Sequence, residues 1–549
     1  MKTKLTLLII LLSVFSVYEE GKAQVPSWAW AKSAAGTNYD GGNGISTDIN
    51  GNVLVTGAFK SSSLTFGATI LTNAGVGDFF IVKYDASGNV LWAKSAGGTS
   101  NDYGIGLSTD ASGNVLITGG FESSSITFGT TTLTNTGTGN FFIVKYDASG
   151  NVLWAKSAGG ASNNGGAGIS TDASGNVLVT GDFQSVSVTF GTTTLTNAGS
   201  ISTNDIFVVK YDASGNVLWA KSAGGNSTDY VRGISTDASG NVLITGSFQS
   251  DSISFGTTTL TNASAGNNDI FVAKYDVSGN VLWAKSAGGS SSDEGWGIAT
   301  DVSGNVAITG HFNSSSITLG STTLTNAGAD DIFIIKYDAS GNVAWAKSAG
   351  GTFYDDGFGI STDSSGNLIV TGNFQNPSIT FGTTTLTNSG GADIFIVKYD
   401  ASGNVLWAKS AGGTSYDGAF GSSSDANGNI LVTGYFQSPS ITFGTTTLTN
   451  TGLYDIFIAK LYSTVSAAIE EQNSNNGVSI YPNPSTGQIS ITSSKDIDEV
   501  TITNPLGQVV YQAKPKDKNL SIKIKDDGIY FVTITSDKKT STQKIIVQH

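Results

Sequence analysis

The 549-residue sequence contains no cysteine, only two histidines and seven prolines, and its charged residues make up 13% of the chain, against about 25% in an average domain. Without cysteine the chain cannot form disulfides, thiolate zinc sites, iron–sulfur clusters or a thiol nucleophile. His311 and His549 leave little for a Ser-His-Asp triad or a histidine-rich metal site. The sequence therefore predicts no cofactor and no catalytic residue.

Glycine is abundant instead, with 71 residues, but without the every-third-residue spacing of collagen. The formal charge of −14 comes from residues 24–465, which hold 16 basic and 31 acidic side chains. An acidic middle repels phosphate backbones and anionic lipid headgroups. We therefore expect no nucleic-acid partner.

Residues 1–23 have the pattern of a signal peptide. Lys2 and Lys4 precede an apolar run from Leu5 to Val17, and Ala23 stands before the expected cleavage site at Gln24. The run is too short to span a bilayer of about 30 Å as a helix, although a buried helix or a membrane anchor is the alternative. The mature chain is thus predicted to be exported, through the periplasm, and to have no transmembrane segment.

Residues 24–465 contain seven repeats. The segment W-A-K-S-A recurs at spacings of 62 to 65 residues, with its tryptophan at Trp30, Trp92, Trp154, Trp219, Trp283, Trp345 and Trp407. Each repeat has four strand-like segments, joined in pairs by D-x-S-G-N, in which Asp bonds its own backbone and Gly supplies a positive φ. Seven four-stranded units predict an all-β, seven-bladed β-propeller.

The ends of the repeat region predict how the ring closes. The third strand occurs seven times, but the D-x-S-G-N turn after it occurs six times, because the chain departs after Tyr462. Residues 28–32 supply an extra fourth strand at the other end. We therefore expect the N-terminal strand to complete the last blade. An open solenoid is the alternative, and it would need polar end caps.

The repeats resemble the SBBP-type β-propeller repeat, whose hallmark is G-N-V-L-V-T-G-x-F followed by D-I-F-I-V-K-Y-D-x-S-G-N-V-L-W-A-K. The resemblance covers roughly residues 28–462. It implies a seven-bladed propeller on an exported protein, and it implies no particular catalytic activity.

A polar linker at residues 466–476 leads into residues 477–549, where short alternating runs predict a small β-sandwich. Three motifs stand in order: Y-P-N-P-S-T-G, G-I-Y-F-V-T-I and K-I-I-V. They resemble the type A C-terminal sorting domain of the type IX secretion system of Bacteroidetes, which implies contact with that machinery and passage across the outer membrane. An ordinary adhesive sandwich is the alternative. The motif residues concerned are Tyr481, Pro482, Asn483, Pro484, Gly487, Gly528 and Tyr530.

Differences between the repeats concentrate on one face of the predicted propeller, in the loops before the first strand and after the second. Loops on a rigid scaffold carry function, so side chains there could stack on a sugar or grip a peptide. Drift after duplication is the alternative explanation. The candidate ligand-binding residues are Tyr230, Arg232, Trp296, His311, Phe358 and Tyr435.

Acidic residues recur at one equivalent position and raise a calcium hypothesis. Calcium takes six to eight oxygens, so one Asp in each blade is a site only if carbonyl oxygens converge on it. Capping of the residue's own loop is the favoured alternative. The residues are Asp40, Asp102, Asp229, Asp293, Asp355 and Asp417.

The sequence as a whole favours a secreted or surface-displayed propeller that binds a glycan or a protein without catalysis. A structural spacer in the cell-surface layer is the alternative. A carbohydrate-active enzyme would need two facing carboxylates, or a metal, in the central channel. The adjacent acids Asp355 and Asp356, or Asp293 and Glu294, do not establish such a pair.

Overall fold

The computed structural model describes residues 25–34, 36–200, 202–463, 478–504, 508–537 and 539–548. The predicted cleavage site between Ala23 and Gln24 and the linker 466–476 lie outside the described residues. The described residues form strands and turns, with no helix among them, so the predicted all-β fold is confirmed. The chain divides into two compact units at the boundary between Thr464 and Val465.

The first unit contains seven antiparallel four-stranded sheets, one for each repeat. Their innermost strands are β2 Asp40–Thr47, β8 Asp102–Thr109, β14 Asn164–Thr171, β20 Asp229–Thr236, β26 Asp293–Thr300, β32 Asp355–Thr362 and β38 Asp417–Ser424. The second strands are β3 Val53–Phe59, β9 Val115–Phe121, β15 Val177–Phe183, β21 Val242–Phe248, β27 Val306–Phe312, β33 Leu368–Phe374 and β39 Ile430–Phe436. The third strands are β6 Asp78–Tyr84, β12 Asn140–Tyr146, β18 Asp205–Tyr211, β24 Asp269–Tyr275, β30 Asp331–Tyr337, β36 Asp393–Tyr399 and β42 Asp455–Leu461. The outermost strands are β1 Trp28–Ala34, β7 Val90–Ala96, β13 Val152–Ala158, β19 Val217–Ala223, β25 Val281–Ala287, β31 Val343–Ala349 and β37 Val405–Ala411.

The third strand of each sheet is buried on both faces. All seven residues of β18 are buried, and Phe207 in that strand meets Phe141 of the preceding sheet edge to face, with ring centroids 5.4 Å apart. Alternating side chains of a strand point to opposite faces, so an apolar strand without polar alternation needs a neighbour on each side. The hydrophobic core therefore lies between consecutive sheets, as in a propeller-like fold.

The innermost strands of consecutive sheets contact one another, and β38 of the last sheet contacts β2 of the first. The N-terminal strand β1 pairs with β42, with Ala31 opposite Ala459, and so completes the last sheet. At the end of the innermost strands, a threonine hydroxyl donates to a backbone carbonyl of the preceding sheet at six of the seven interfaces. These bonds are Thr47 to Ser424, Thr109 to Thr47, Thr171 to Thr109, Thr236 to Thr171, Thr300 to Thr236 and Thr362 to Thr300.

The Ser/Thr-rich segment of each repeat, which the sequence left without a structure, forms a separate two-stranded hairpin. In the second repeat, Ile126 and Phe128 are buried against the sheets, while Thr127 and Thr132 face outward with their hydroxyls 3.0 Å apart. This alternation anchors each hairpin. The hairpins are β4 Ser63–Phe66 with β5 Thr69–Thr72, β10 Ser125–Phe128 with β11 Thr131–Thr134, β16 Ser187–Phe190 with β17 Thr193–Thr196, β22 Ser252–Phe255 with β23 Thr258–Thr261, β28 Ser316–Leu319 with β29 Thr322–Thr325, β34 Ser378–Phe381 with β35 Thr384–Thr387, and β40 Ser440–Phe443 with β41 Thr446–Thr449.

The turn between the first two strands of each sheet carries a buried ion pair. In the second sheet, Lys145 Nζ lies 2.9 Å from Asp110 Oδ2, and both side chains are almost fully buried. Gly113 in the same turn has a φ of 76°, a conformation that favours glycine. The seven pairs are Lys83–Asp48, Lys145–Asp110, Lys210–Asp172, Lys274–Asp237, Lys336–Asp301, Lys398–Asp363 and Lys460–Asp425.

The second unit has six antiparallel strands joined through one long strand. They are β43 Val478–Tyr481, β44 Gln488–Thr503, β45 Val509–Ala513, β46 Asp517–Lys523, β47 Gly528–Ser536 and β48 Lys539–Val547. The first half of β44 pairs with β43 and β46, and its second half pairs with β45 and β47. Apolar side chains from both halves of β44, including Ile491 and Val500, share one core.

Candidate functional site

Each innermost strand contains a β-bulge at which one residue has no partner in the second strand. In β26 the register shifts between Gly295 and Gly297, which leaves Trp296 unpaired. A bulge redirects a side chain away from its usual side of the sheet. The equivalent residues of the seven strands are Asn43, Ile105, Ala167, Arg232, Trp296, Phe358 and Phe420.

These seven bulge residues line a single cavity of about 380 Å³. Every innermost strand contributes one side chain, so the cavity lies where the seven sheets converge, and we call it the central cavity. The glycine after the bulge permits this convergence: a Cβ on Gly297 would stand 2.6 Å from the carbonyl oxygen of Phe358 in the next sheet. The G-x-G pattern at five of the seven bulges, as in Gly295-Trp296-Gly297, is therefore a sequence signal for the bulge.

Three aromatic rings line one side of the central cavity, and two further rings continue the series of ring contacts beyond the lining. Trp296 meets Phe358 edge to face at 5.1 Å between centroids, and Phe358 meets Phe420 in the same way at 5.2 Å. Phe420 then contacts Tyr435 at 5.4 Å, and Tyr435 contacts Tyr454 at 4.9 Å. We call these five residues the aromatic arc. Because each ring is held by its neighbours, the arc forms a preorganised apolar wall.

The other side of the cavity has small or aliphatic side chains and no ring. Ala167 and Ile105 belong to consecutive sheets, and the Nδ2 of Asn43 donates to the Gly104 carbonyl at 2.8 Å. The cavity is therefore asymmetric. Aromatic side chains from adjacent sheets form one wall, and the smaller side chains of the opposite wall leave open space between the two.

Arg232 stands at the end of the aromatic arc and is the only arginine in the sequence. Its guanidinium carbon lies 4.9 Å from the ring centroid of Tyr230 and 4.7 Å from that of Trp296, within the range of cation–π attraction. Arg232 Nε and Trp296 Nε1 are buried and have no hydrogen-bond partner among the described residues. A buried donor without an acceptor costs about 1–3 kcal/mol, so both are candidates to meet a ligand oxygen.

Asp182 provides the counter-charge to this arginine. Burial raises the pKa of Asp182 to about 7, against the opposing effects of the Arg232 charge and of a hydrogen bond from the Val231 backbone N–H at 2.9 Å. The charge of Arg232 is therefore only partly neutralised near neutral pH.

Most of the six candidate ligand-binding residues lie close together at the central cavity, but they belong to strands and not to the expected loops. Arg232, Trp296 and Phe358 are bulge residues inside innermost strands, and Tyr230 stacks on Arg232. Tyr435 belongs to the second strand β39 and continues the arc. His311, in β27, lies outside the cavity lining and contacts Asp356 in the next sheet.

The recurring aspartates lie at the start of the innermost strands and are buried. Asp40 Oδ2 accepts a hydrogen bond from the Ser61 hydroxyl at 2.6 Å, and its Oδ1 accepts from the Ser61 backbone N–H at 3.1 Å. Asp229 is bonded by Ser250 in the same way. These hydrogen bonds stay within one sheet and occupy both carboxylate oxygens, so the geometry favours loop capping over calcium binding.

In the second unit, the three motifs of the tail meet at one end of the strands. The Asn483 side chain donates to the Lys544 carbonyl at 2.8 Å and accepts from the Ile546 backbone N–H at 2.9 Å. Tyr530, in β47, pairs with Ile545 in β48, and its hydroxyl donates to the Asp526 carbonyl. Gly487 accepts from the Ile524 backbone at 2.7 Å, while Tyr481 is about half exposed. The neighbouring Pro482 and Pro484 follow cis peptide bonds, and Gly528 begins β47.

Residues 479–548 match the family described as the secretion system C-terminal sorting domain. The protein is therefore exported by the type IX secretion system, interacts with that machinery, and is secreted or held at the outer cell surface. Within the described residues, no helix has the length and apolarity needed to cross a membrane.

Two curated relatives resemble parts of the chain. An uncharacterized WD repeat-containing protein of Acanthamoeba polyphaga mimivirus is 26% identical over 539 residues, which cover 80% of this chain and 39% of that protein. The regulatory protein FlaEY of Caulobacter vibrioides is 28% identical over 142 residues, covering 25% and 15%. The chain thus spans less than half the length of either relative.

The solved structures that match this chain share little sequence with it and have low TM-scores. PorZ, a surface component of the type IX secretion system of Porphyromonas gingivalis, has a TM-score of 0.23 and 12% identity, covering 92% of this chain and 81% of PorZ. A gluconolactonase from Xanthomonas campestris has a TM-score of 0.32, 10% identity and coverage of 80% and 98%. A mutant apocarotenoid oxygenase from Synechocystis has a TM-score of 0.36, 10% identity and coverage of 81% and 95%. Likeness at these TM-scores supports no conclusion about function.

Proposed function

We propose that this exported protein is a seven-bladed β-propeller that binds a carbohydrate in its central cavity and does not catalyse a reaction. The seven four-stranded sheets, the contact between β38 and β2 and the pairing of β1 with β42 support the closed ring. The proposal includes the SBBP-type character of the repeats, the removal of residues 1–23 and the sandwich form of the tail.

The aromatic arc beside Arg232 is the observation that carries the binding proposal. A sugar ring presents apolar C–H faces, which pack on aromatic rings, and hydroxyl groups, which need hydrogen-bond partners. Small-ligand sites combine an apolar lining with a few placed polar groups in about 300–1,000 Å³. The cavity of about 380 Å³ offers the rings of Trp296 and Phe358 together with the unpaired donor of Arg232.

The arrangement of the seven bulge residues favours a binding site over a spacer. Arg232, Trp296, Phe358 and Phe420 come from four consecutive sheets. Drift after duplication would scatter large side chains around the seven equivalent positions, whereas these form a continuous wall. An exported spacer has no need for such a wall, which exposes apolar surface and leaves two buried donors unpaired.

The lining of the cavity supports binding without catalysis. Glycoside hydrolysis uses two carboxyl groups about 5–9 Å apart across the scissile bond, and none of the seven bulge residues carries a carboxylate. A protein ligand is the second candidate. It is less well supported, since a stable protein interface buries about 800 Å² on each partner. A cavity of about 380 Å³ has room only for a short piece of polypeptide.

A glycan array probed with the full secreted chain tests the proposal. We expect selective binding that falls at least about tenfold, or about 1.4 kcal/mol, in Trp296→Ala and Phe358→Ala. Phe353→Ala is the matched control for Phe358→Ala. Phe353 lies in the loop before β32, the strand that contains Phe358, and it is outside the cavity lining and 52% exposed. A silent array with folded protein would overturn the carbohydrate proposal, and equal loss in the control would overturn its location.

A further inference from the structure

Among the described residues outside the cavity lining, one cluster of metal-ligating side chains joins two neighbouring sheets. His311 lies in β27, Asp330 immediately precedes β30 of the same sheet, and Asp356 lies in β32 of the next sheet. One donor atom from each residue lies within 4.8 Å of the other two. We propose that His311, Asp330 and Asp356 bind a divalent transition-metal ion of the zinc class at this junction. The inference does not depend on the proposed carbohydrate site.

The imidazole is placed as a metal ligand would be. His311 Nδ1 lies 3.1 Å from Asp356 Oδ1, and the two side chains are 15% and 18% exposed. Nδ1 itself is inaccessible to solvent and makes no well-formed hydrogen bond with any described residue. A buried imidazole nitrogen that faces carboxylate oxygens has the environment of a coordination site, because a cation would attract all three donors at once.

Amide side chains hold the carboxylates in place. Asn313 Nδ2 donates to Asp330 Oδ1 at 2.9 Å, and Asn373 Nδ2 donates to Asp356 Oδ2 at 3.4 Å. Hydrogen bonds of this kind orient metal ligands and raise affinity. Each of these carboxylates therefore has one oxygen held by an amide, and its other oxygen remains for coordination.

The local charge favours a cation. Glu294 stands opposite His311 in the register of β26 and β27 and accepts a hydrogen bond from Asn268 Nδ2 at 2.8 Å. The carboxylates of Asp330 and Asp356 also face this imidazole. Three carboxylates thus surround one imidazole, and a metal ion would take the place of its proton.

The donor types select the metal. An imidazole nitrogen with two carboxylates suits Zn²⁺ and related ions, whereas Ca²⁺ takes six to eight oxygen ligands. Donors at about 2.0–2.2 Å from one Zn²⁺ lie about 3–4 Å apart, so the side chains need to close by less than about 2 Å. Three protein ligands leave at least one coordination position for water or for an oxygen of a bound molecule.

The other repeats lack this constellation. The position of His311 is occupied in them by Ala58, Gly120, Asp182, Ser247, Asn373 and Tyr435. Asp356 and Glu294 each lie two residues before a bulge residue, Phe358 and Trp296 respectively. The metal junction therefore adjoins the aromatic arc along the same two strands.

Isothermal titration of the EDTA-treated full chain with Zn²⁺ tests the proposal. We expect about one equivalent to bind with micromolar or tighter affinity, and Ca²⁺ at the same concentration to give no comparable binding. His311→Gln, Asp330→Asn and Asp356→Asn are expected to weaken Zn²⁺ binding by more than about 100-fold, since even partners that only orient ligands contribute 10–100-fold. His549→Gln, which changes the other histidine, is expected to bind as the unmodified chain does.

Two results would overturn the site: the absence of binding below millimolar Zn²⁺, or unchanged binding in His311→Gln. If a variant fails to fold, the unmodified protein still decides the matter through Co²⁺. An intense visible absorption indicates four- or five-coordinate binding by protein ligands, and a weak spectrum like that of the hydrated ion contradicts it. The glycan array remains independent, so failure here leaves the carbohydrate proposal standing.

Discussion

The indole Nε1 of Trp30 donates a hydrogen bond to the backbone carbonyl of Ala86, 3.1 Å away, and so ties the last four-stranded sheet to the first. The ammonium of Lys460 in the last sheet reaches the same carbonyl at 3.4 Å. Trp92 makes the equivalent bond to Ala148 between the first two sheets, at 3.2 Å. The junction that contains the N-terminal strand is therefore built like a junction within the ring.

Replacing this indole tests the closure. We expect Trp30→Phe, which keeps an aromatic ring but removes the N–H donor, to lower the free energy of unfolding by about 1 kcal/mol. Trp92→Phe is the matched variant inside the ring and should cost a similar amount. Chemical denaturation of both variants measures the two losses. A loss confined to Trp92→Phe would show that the N-terminal strand does not hold the ring closed.

Ser424 occupies the one position where the series of threonine-to-carbonyl hydrogen bonds is interrupted. Its hydroxyl is buried without a partner among the described residues, whereas Thr362 bonds the Thr300 carbonyl at 2.9 Å. We expect Ser424→Thr to complete the series and to stabilise the protein by about 0.5–1.5 kcal/mol, seen as a higher melting temperature. Thr362→Val, which removes a hydroxyl that is bonded, should have the opposite effect. A lower melting temperature for Ser424→Thr would contradict the prediction.

Asp205 and Asp229 begin strands in neighbouring sheets, and their buried carboxyls influence each other. Burial raises the pKa of Asp205 to about 6, and burial together with the nearby Asp205 charge raises the pKa of Asp229 to about 7. Both therefore bind protons more tightly in the folded chain than in the unfolded chain. The stability they contribute is fully present below pH of about 4 and is lost as the pH rises through 6 and 7.

We accordingly expect the melting temperature to fall between pH 5 and pH 8. The double variant Asp205→Asn/Asp229→Asn should show a smaller fall, and the chain itself has this combination at the equivalent positions Asn140 and Asn164. Differential scanning calorimetry at several pH values measures the difference. An identical fall in both proteins would show that these carboxyls do not titrate with folding.

The turns that begin at Asp110 and Asp85 share the D-x-S-G-N sequence, but only Asp110 forms an ion pair with a buried lysine, Lys145. Asp110→Asn leaves the buried Lys145 charge without its partner, and the loss expected from breaking a buried pair is about 3–5 kcal/mol. Asp85 belongs to a similar turn but accepts hydrogen bonds only within it, from Ser87 and Asn89. Asp85→Asn should therefore cost about 1 kcal/mol. Equal unfolding free energies for the two variants would contradict the assigned role of the lysine.

The repeating features could be predicted from the amino-acid sequence, because they depend on local hydrogen bonding and on alternation along single strands. The D-x-S-G-N turns and the recurring apolar segments predicted four strands in each repeat, and the missing last turn predicted a partner for β1. The sorting motifs were equally readable, since Tyr481, Asn483 and Tyr530 stand in contiguous patterns.

The environments of individual residues could not be predicted in this way, because they depend on contacts between sheets that the folded chain alone provides. Trp296 was expected in a loop, but it lies at a bulge in β26 and lines the central cavity. A bulge depends on pairing with a second strand. The junction of His311 with Asp356 exists because neighbouring sheets bring together residues that are distant in the chain. Likewise, turns of the same sequence are expected to contribute differently to the free energy of unfolding, because only some of them contain an aspartate that is ion-paired with a buried lysine such as Lys145. Local chemistry thus specified the repeating framework, and packing between the sheets created the site.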